Sequence, residues 1–291
     1  MNAYFAACRS LIDDSLSRLA SEAAMPTSIR PAVEDALQSS GKRVRGSLTL
    51  AVAETFGAKN NSVVASAAAV EMIHSCSLIL DDLPAMDDAT LRRGRPTLHR
   101  RYGEDLAILT AVALLNHAYG LIMRDHATLR PRRWGLAQIL ERVVHAVGWD
   151  GAIGGEAVDL HSESQTLDFA TLEFIHSRKT GALFVASASI GAMLANAPES
   201  GLVAVDAFAK NLGLAFQITD DILDVTSTQE VLGKDVQKDA QKLTFVKLAG
   251  LEGARQLNDE LIAASIEAIT PLGKSATHLR ELAEIVRDRA R

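Results

Sequence analysis

Ser77-Leu78-Ile79-Leu80-Asp81-Asp82-Leu83-Pro84-Ala85-Met86-Asp87-Asp88 is the stretch on which the reading of this chain turns. It closes an Ala-rich apolar run that starts after Asn61 and Ser62, either of which can cap a helix by accepting from its first free N–H groups. The run passes through Ala67-Ala68-Ala69-Val70-Glu71-Met72-Ile73-His74 with helical periodicity, and Pro84 follows its end. Two adjacent carboxylates therefore end an otherwise apolar helix, with Asp87 just beyond the stop.

The pattern recurs in Phe216-Gln217-Ile218-Thr219-Asp220-Asp221-Ile222-Leu223-Asp224-Val225. On a helix Asp220 and Asp224 are four apart and Asp221 and Asp224 three apart, so the carboxylates crowd one side. A single acidic triplet is ordinarily a solvated face. Here apolar residues flank both clusters, where like charges repel and unpaired carboxylates are costly, so the clusters call for cations. The donors are all hard oxygens with no His or Cys among them, which suits Mg²⁺ rather than zinc. Two facing clusters suit several Mg²⁺ ions on one diphosphate, because Mg²⁺ completes its octahedron with water and phosphate oxygens.

Working outward, turn residues divide the chain into further helical segments. These are expected near 3–20, 32–38, from Gly41 to Phe56, 104–125, 134–147, 154–160, 167–194, 202–225, 243–269 and 276–289, with a polar loop after Pro84. No segment alternates with period two for long, and there is no clear repeat or linker. The expected fold class is all-α: a single domain, residues 1–291, built as a bundle of about ten helices around a central space.

Composition narrows the partners. The net charge of −6 gives no reason to expect nucleic acid, so cations for an anionic substrate must be locally concentrated. Cys8 and Cys76 lie far apart and make neither a disulfide framework nor a zinc site. No run of about twenty uninterrupted apolar residues occurs, so no integral membrane segment is expected. The first ten residues lack the pattern of a signal peptide, and the expected location is cytoplasmic.

The cations come in bursts beside the acidic clusters. Gly41-Lys42-Arg43-Val44-Arg45 opens a helix, so backbone N–H groups and side-chain cations can face one anion. Arg92-Arg93-Gly94-Arg95 follows the first cluster, Lys179-Thr180-Gly181 interrupts an apolar helix, and Lys234 and Lys242 follow the second cluster. His74 lies seven residues before Asp81, two turns away on the same face.

These motifs, in this order and over nearly the whole chain, resemble the trans (all-E) polyprenyl diphosphate synthases. The resemblance implies a bundle around a deep central cavity, a homodimer, and condensation of isopentenyl diphosphate with an allylic diphosphate, with three Mg²⁺ ions per active site. Asp81, Asp82 and Asp87 would then bind Mg²⁺ on one side of the allylic diphosphate, and Asp220, Asp221 and Asp224 on the other. Arg92, Lys179, Lys234 and Lys242 would serve that diphosphate, and Lys42, Arg45, His74 and Arg93 the isopentenyl diphosphate. Thr180 and Gln217 would turn oxygen dipoles towards the developing carbocation.

Several positions depart from the family pattern. Gly46 stands where Pro is usual, expected as a minor local change, and Glu156 replaces Gln in Gly154-Gly155-Glu156-x2-Asp159-Leu160. Ala111-Val112 stands in place of Gly-Asp, and Gln241 and Leu243 flank Lys242 less typically. With Asp88-Ala89-Thr90-Leu91 these features resemble bacterial geranylgeranyl diphosphate synthases. Chain length is expected to depend on Cys76 and Ser77. Cys76 lies five residues, about 7.5 Å of helix, before Asp81, where farnesyl synthases of the family carry an aromatic ring. The expected product is C20. Alternatives are a C15 farnesyl product, a terpene cyclase, against which a second anion pocket argues, and a non-catalytic subunit, against which two intact acidic clusters argue.

Overall fold

The computed structural model describes residues 2–161, 168–226 and 244–290. Lys234, Lys242 and the flanking Gln241 and Leu243 lie outside the described residues. The helices are α1 (Ala3–Glu22), α2 (Arg30–Leu37), α3 (Val44–Thr55), α4 (Val64–Asp81), α5 (Leu98–Tyr102), α6 (Glu104–Leu129), α7 (Leu136–Val147), α8 (Ala152–His161), α9 (Phe169–His176), α10 (Ala182–Leu194), α11 (Glu199–Thr226), α12 (Phe245–Ala268) and α13 (Thr277–Arg289). The all-α bundle is thus as expected. α10, rich in Ala and Ser and buried on nearly every side, lies against α3, α7 and α11 at the centre. α4 packs along α6, and α11 along α12.

Two apolar clusters hold the bundle. The larger runs from Phe5 and Ile12 on α1 through Leu48, Met72, Leu114 and Phe184 to Leu279 and Val286 on α13. The smaller joins Leu172, Ile218, Ile222, Phe245 and Ala254 beneath the second acidic cluster.

Four local expectations change. Asn61 and Ser62 do not cap α4; they sit in a 3₁₀ turn, and Val63 occupies the cap position without a side-chain bond. The cap comes from the neighbouring helix, where Asp125 Oδ2 accepts from Ser66 N and Ser66 Oγ, both at 2.8 Å. The segment expected as one helix over 167–194 is broken by a π turn, Ser177–Gly181, between α9 and α10. The polar loop holds a small antiparallel hairpin, β1 (Leu91–Arg92) with β2 (Arg95–Pro96). Its two-residue turn uses Arg93 at φ 54° and Gly94 at φ 75°, both left-handed as a tight hairpin requires. Finally, α4, α6 and α11 are each long and apolar enough to cross a membrane by length and composition alone, although none is an uninterrupted apolar run. In the bundle α4 is buried over 61% of its most apolar window and α11 over half.

Candidate active site

Each acidic cluster is placed by a helix end and held by a different partner. Asp82 caps the end of α4, and its Oδ1 accepts from Arg92 Nε at 2.9 Å and also from Nη2. The hairpin makes that pairing possible, because it folds Arg92 back over the helix end while Arg93 reaches Ser40 O and Arg95 reaches Asp35. Asp87 follows in a turn whose N–H donates to Asp81 O at 2.9 Å. On α11, Asp221 Oδ2 accepts from Phe245 N at 3.0 Å and Oδ1 from Gln217 Nε2 at 3.2 Å. Asp220 Oδ1 accepts from Arg289 Nη2 at 2.9 Å. Asp224 completes the face on the same helix.

The π turn connects the two clusters. Its extra residue per turn puts Lys179 and Thr180 side by side on the interior side of the break. Lys179 lies in the field of Asp81 and of two α8 acids, Glu156 at 2.5 Å and Asp159 at 2.7 Å, which raises its pKa against the effect of burial. Thr180 Oγ1 donates to Gln217 Oε1 at 3.0 Å, and Gln217 in turn reaches Asp221. One short segment thereby bonds to the second acidic helix and lies in the field of the first.

The electrostatics fit a cation. Burial pushes the Asp81 carboxyl up to about 7, and the nearby Glu156 adds to the rise. Burial pushes Asp221 up to about 6 despite the bonds from Phe245 and Gln217. Burial also raises Asp82, opposed by Arg92. Among the described residues no three His, Cys, Asp or Glu side chains are drawn together closely enough to hold a metal ion by themselves. Hard carboxylates that resist charging, in an open arrangement, suit a cation that takes further ligands from a phosphate.

Beside this lies a basic pocket. Arg45 is buried with its guanidinium 4.6 Å above the Phe184 ring, and its Nε has no hydrogen-bond partner. Burial lowers its pKa while Glu71 and Asp220 oppose the effect. Lys42 stands at the rim, its pKa lowered by partial desolvation and by Arg289. His74 is pushed well below its ordinary value by burial and by Arg45, Arg93, Arg92 and Arg43, so it is a neutral imidazole among cations. Burial likewise lowers Arg93, with Arg43 adding to it. Sequence reasoning thus placed Lys42, Arg45, His74 and Arg93 in one region.

It gave Arg43 no role beyond its place in the basic motif, and it missed Glu71 and Arg289. Arg43 adopts a left-handed φ of 49° and is tied down by Asp13 at 2.7 Å, Leu37 O and Ser39 O. Glu71, buried on α4, accepts from Gly46 N at 2.8 Å. Gly46 is therefore more than the minor change expected, because the usual Pro has no N–H to donate there, and a Cβ would sit 2.9 Å from Ala67 O. Arg289, near the far end of the chain, pairs with Asp220 and lies 4.9 Å from the Phe216 ring. Its only signal in the sequence is a basic C-terminal stretch, which has no spacing relation to Asp220.

Residues 26–283 match the polyprenyl synthetase family. The chain belongs to that family. It is 38% identical over 284 residues to geranylgeranyl diphosphate synthase of Cyanophora paradoxa, covering 97% of this chain and 94% of that one. It is 35% identical to farnesyl diphosphate synthase of Bacillus subtilis, covering 98% and 97%. Its fold matches the crystal structure of Helicobacter pylori geranyltransferase complexed with magnesium and isoprenyl diphosphate, with a TM-score of 0.79 at 28% identity over 99% of this chain and 97% of that one. The chain is accordingly a prenyltransferase that condenses prenyl diphosphates. The relatives named for C20 and for C15 synthesis leave its product length open between the two.

Proposed function

We propose that this enzyme uses Mg²⁺ to condense isopentenyl diphosphate with an allylic diphosphate and releases chiefly the C20 product, geranylgeranyl diphosphate. The observation that carries the reading is the Lys179–Thr180 turn, which faces Asp81 of one acidic helix and binds Gln217 of the other. The magnesium and isoprenyl diphosphate held by the Helicobacter pylori relative support Mg²⁺ at this site, and we assign three ions, to Asp81, Asp82 and Asp87 on one side and Asp220, Asp221 and Asp224 on the other.

Bound there, Mg²⁺ supplies Lewis-acid neutralisation of charge on the leaving diphosphate. Arg92 and Lys179 add fixed positive charge on the same group, and their value is highest in a buried site. Lys42, Arg45 and Arg93 hold the second diphosphate, with neutral His74 able to accept from or donate to it, which brings the isopentenyl double bond close to the allylic carbon. Thr180 and Gln217 turn oxygen dipoles to the allylic cation. The double bond attacks, and the proton released goes to the departing diphosphate, since no side chain among the described residues stands as a general base.

The product length rests on the lining of the tail path. Cys76 is 6% exposed and small. α4 packs along α6, and the Ser66–Asp125 bonds set their register; with the two helices antiparallel, Tyr119 lies level with Met72, about 6 Å deeper than Cys76. Helical side chains lean towards the start of their own helix, which for Tyr119 is back towards Cys76, and Cys76 is close enough to raise the Tyr119 pKa after burial. A floor at Tyr119 rather than at Cys76 leaves one further turn of depth, which supports C20. The same ring favours a C15 product if it rotates across the path, and this is the second reading.

The exposed apolar stripe Leu109, Val112 and Met123 on α6, beside Val144 on α7, supports a homodimer through these helices. The deciding experiment supplies isopentenyl diphosphate with C5, C10 or C15 allylic diphosphates, with and without Mg²⁺, and identifies the prenols after dephosphorylation. A Mg²⁺-dependent C20 prenol is expected. A C15 endpoint overturns the chain-length argument, and no condensation from any starter overturns the function.

A further inference from the structure

Lys179 is not free to meet a diphosphate. Its ammonium donates to Asp159 Oδ2 at 2.7 Å and lies 2.5 Å from Glu156 Oε2. Both acids stand on one face of α8, three residues apart. The approach is permitted by Gly155, because a Cβ there would sit 2.5 Å from the Lys179 backbone nitrogen. The two acids differ in how they are satisfied. Asp159 accepts a hydrogen bond from Lys179. Glu156 accepts none at either oxygen, although both are sealed from solvent and the residue is only 9% exposed. A buried carboxylate compensated by charge alone is an expensive arrangement, and an amide of the same shape would avoid it.

The charge count makes the consequence specific. Glu156 and Asp159 share one ammonium, while Asp81 lies in the field of both Lys179 and Arg92, so the immediate surroundings of Lys179 remain net negative. A bare diphosphate entering here must draw Lys179 from two carboxylates while facing their repulsion at short range in a buried site. A diphosphate already carrying metal ions brings little net charge and meets no such barrier.

We propose that Glu156 is a positioning residue that withholds Lys179 from a bare diphosphate, so that the allylic substrate gains this ammonium only as its metal complex. The inference rests on the prenyl-transfer reading of the site. It makes the Gln-to-Glu departure a selectivity device of this chain and assigns Glu156 no part in bond making.

The test measures binding of inorganic diphosphate by calorimetry, in chelator and in excess Mg²⁺, to the wild-type chain and to Glu156→Gln and Glu156→Asp. In chelator, Glu156→Gln binds about tenfold tighter than wild type, whereas Glu156→Asp, which keeps the charge, stays weak. In Mg²⁺ the three converge. Under turnover, which runs in Mg²⁺, Glu156→Gln leaves KM for the allylic diphosphate and KM for isopentenyl diphosphate both close to wild type. Unfolding of the free proteins checks the fold, with a higher Tm expected for Glu156→Gln because a buried charge is gone. Equal metal-free affinity in wild type and Glu156→Gln overturns the proposal, as does tight metal-free binding by Glu156→Asp. The binding comparison needs no turnover, so a wild type that holds diphosphate but condenses no prenyl substrate overturns the functional reading alone.

Discussion

At the scale of the residue, the chemistry of this site is a set of charges held where charge is unfavourable. Asp81 illustrates the sign. Its carboxyl titrates near 7 in the folded chain against an ordinary value of about 4. Its contribution to stability is therefore fully present below about pH 4 and is lost as pH rises through 7. In chelator, Asp81→Asn should gain on the wild type across that window, by about 2 kcal/mol at pH 8. Denaturant unfolding at matched pH values measures this, and a gap that does not widen with pH refutes it. Arg289 offers a second case. Arg289→Ala leaves Asp220 without its 2.9 Å partner and should lower kcat/KM about tenfold, with Arg289→Lys recovering part of the loss. The carboxylates were legible because Asp-Asp-x-x-Asp between apolar residues is conspicuous. Arg289 was not, because nothing local ties residue 289 to residue 220.

At the scale of the element, spacing predicted helices well and predicted their ends poorly. The start of α4 shows why: its cap is Asp125, 59 residues away from Ser66, so no local pattern encodes it. The break at Ser177–Gly181 is similar. Its residues suit a helix, and only packing of α8 and α11 against the turn reveals the extra residue that aims Lys179 and Thr180 inward. The pairing of α4 with α6 carries the chain-length prediction. Cys76→Tyr should shift the product towards C15, and Tyr119→Ala should lengthen it beyond the wild-type product. Chromatography of the prenols decides both. An unchanged product from both variants would mean that neither helix face forms the floor.

At the scale of the whole molecule, α6 and α7 leave an apolar stripe uncovered. If a second copy covers it, Val112→Asp should yield a monomer in sedimentation and a lower Tm, whereas an unchanged sedimentation coefficient would remove this face from the interface. By itself the sequence determined the all-α class, the two acidic clusters, the order of the basic motifs and the family, because helical periodicity and short-range spacing are written locally along the chain. Only the tertiary structure decided which acid holds which cation. Lys179 sits between Glu156 and Asp159, Asp82 takes Arg92, and Asp220 takes Arg289. The physical reason is that charge energies depend on distance and burial in three dimensions, and residues far apart in sequence acquire both only when the helices pack.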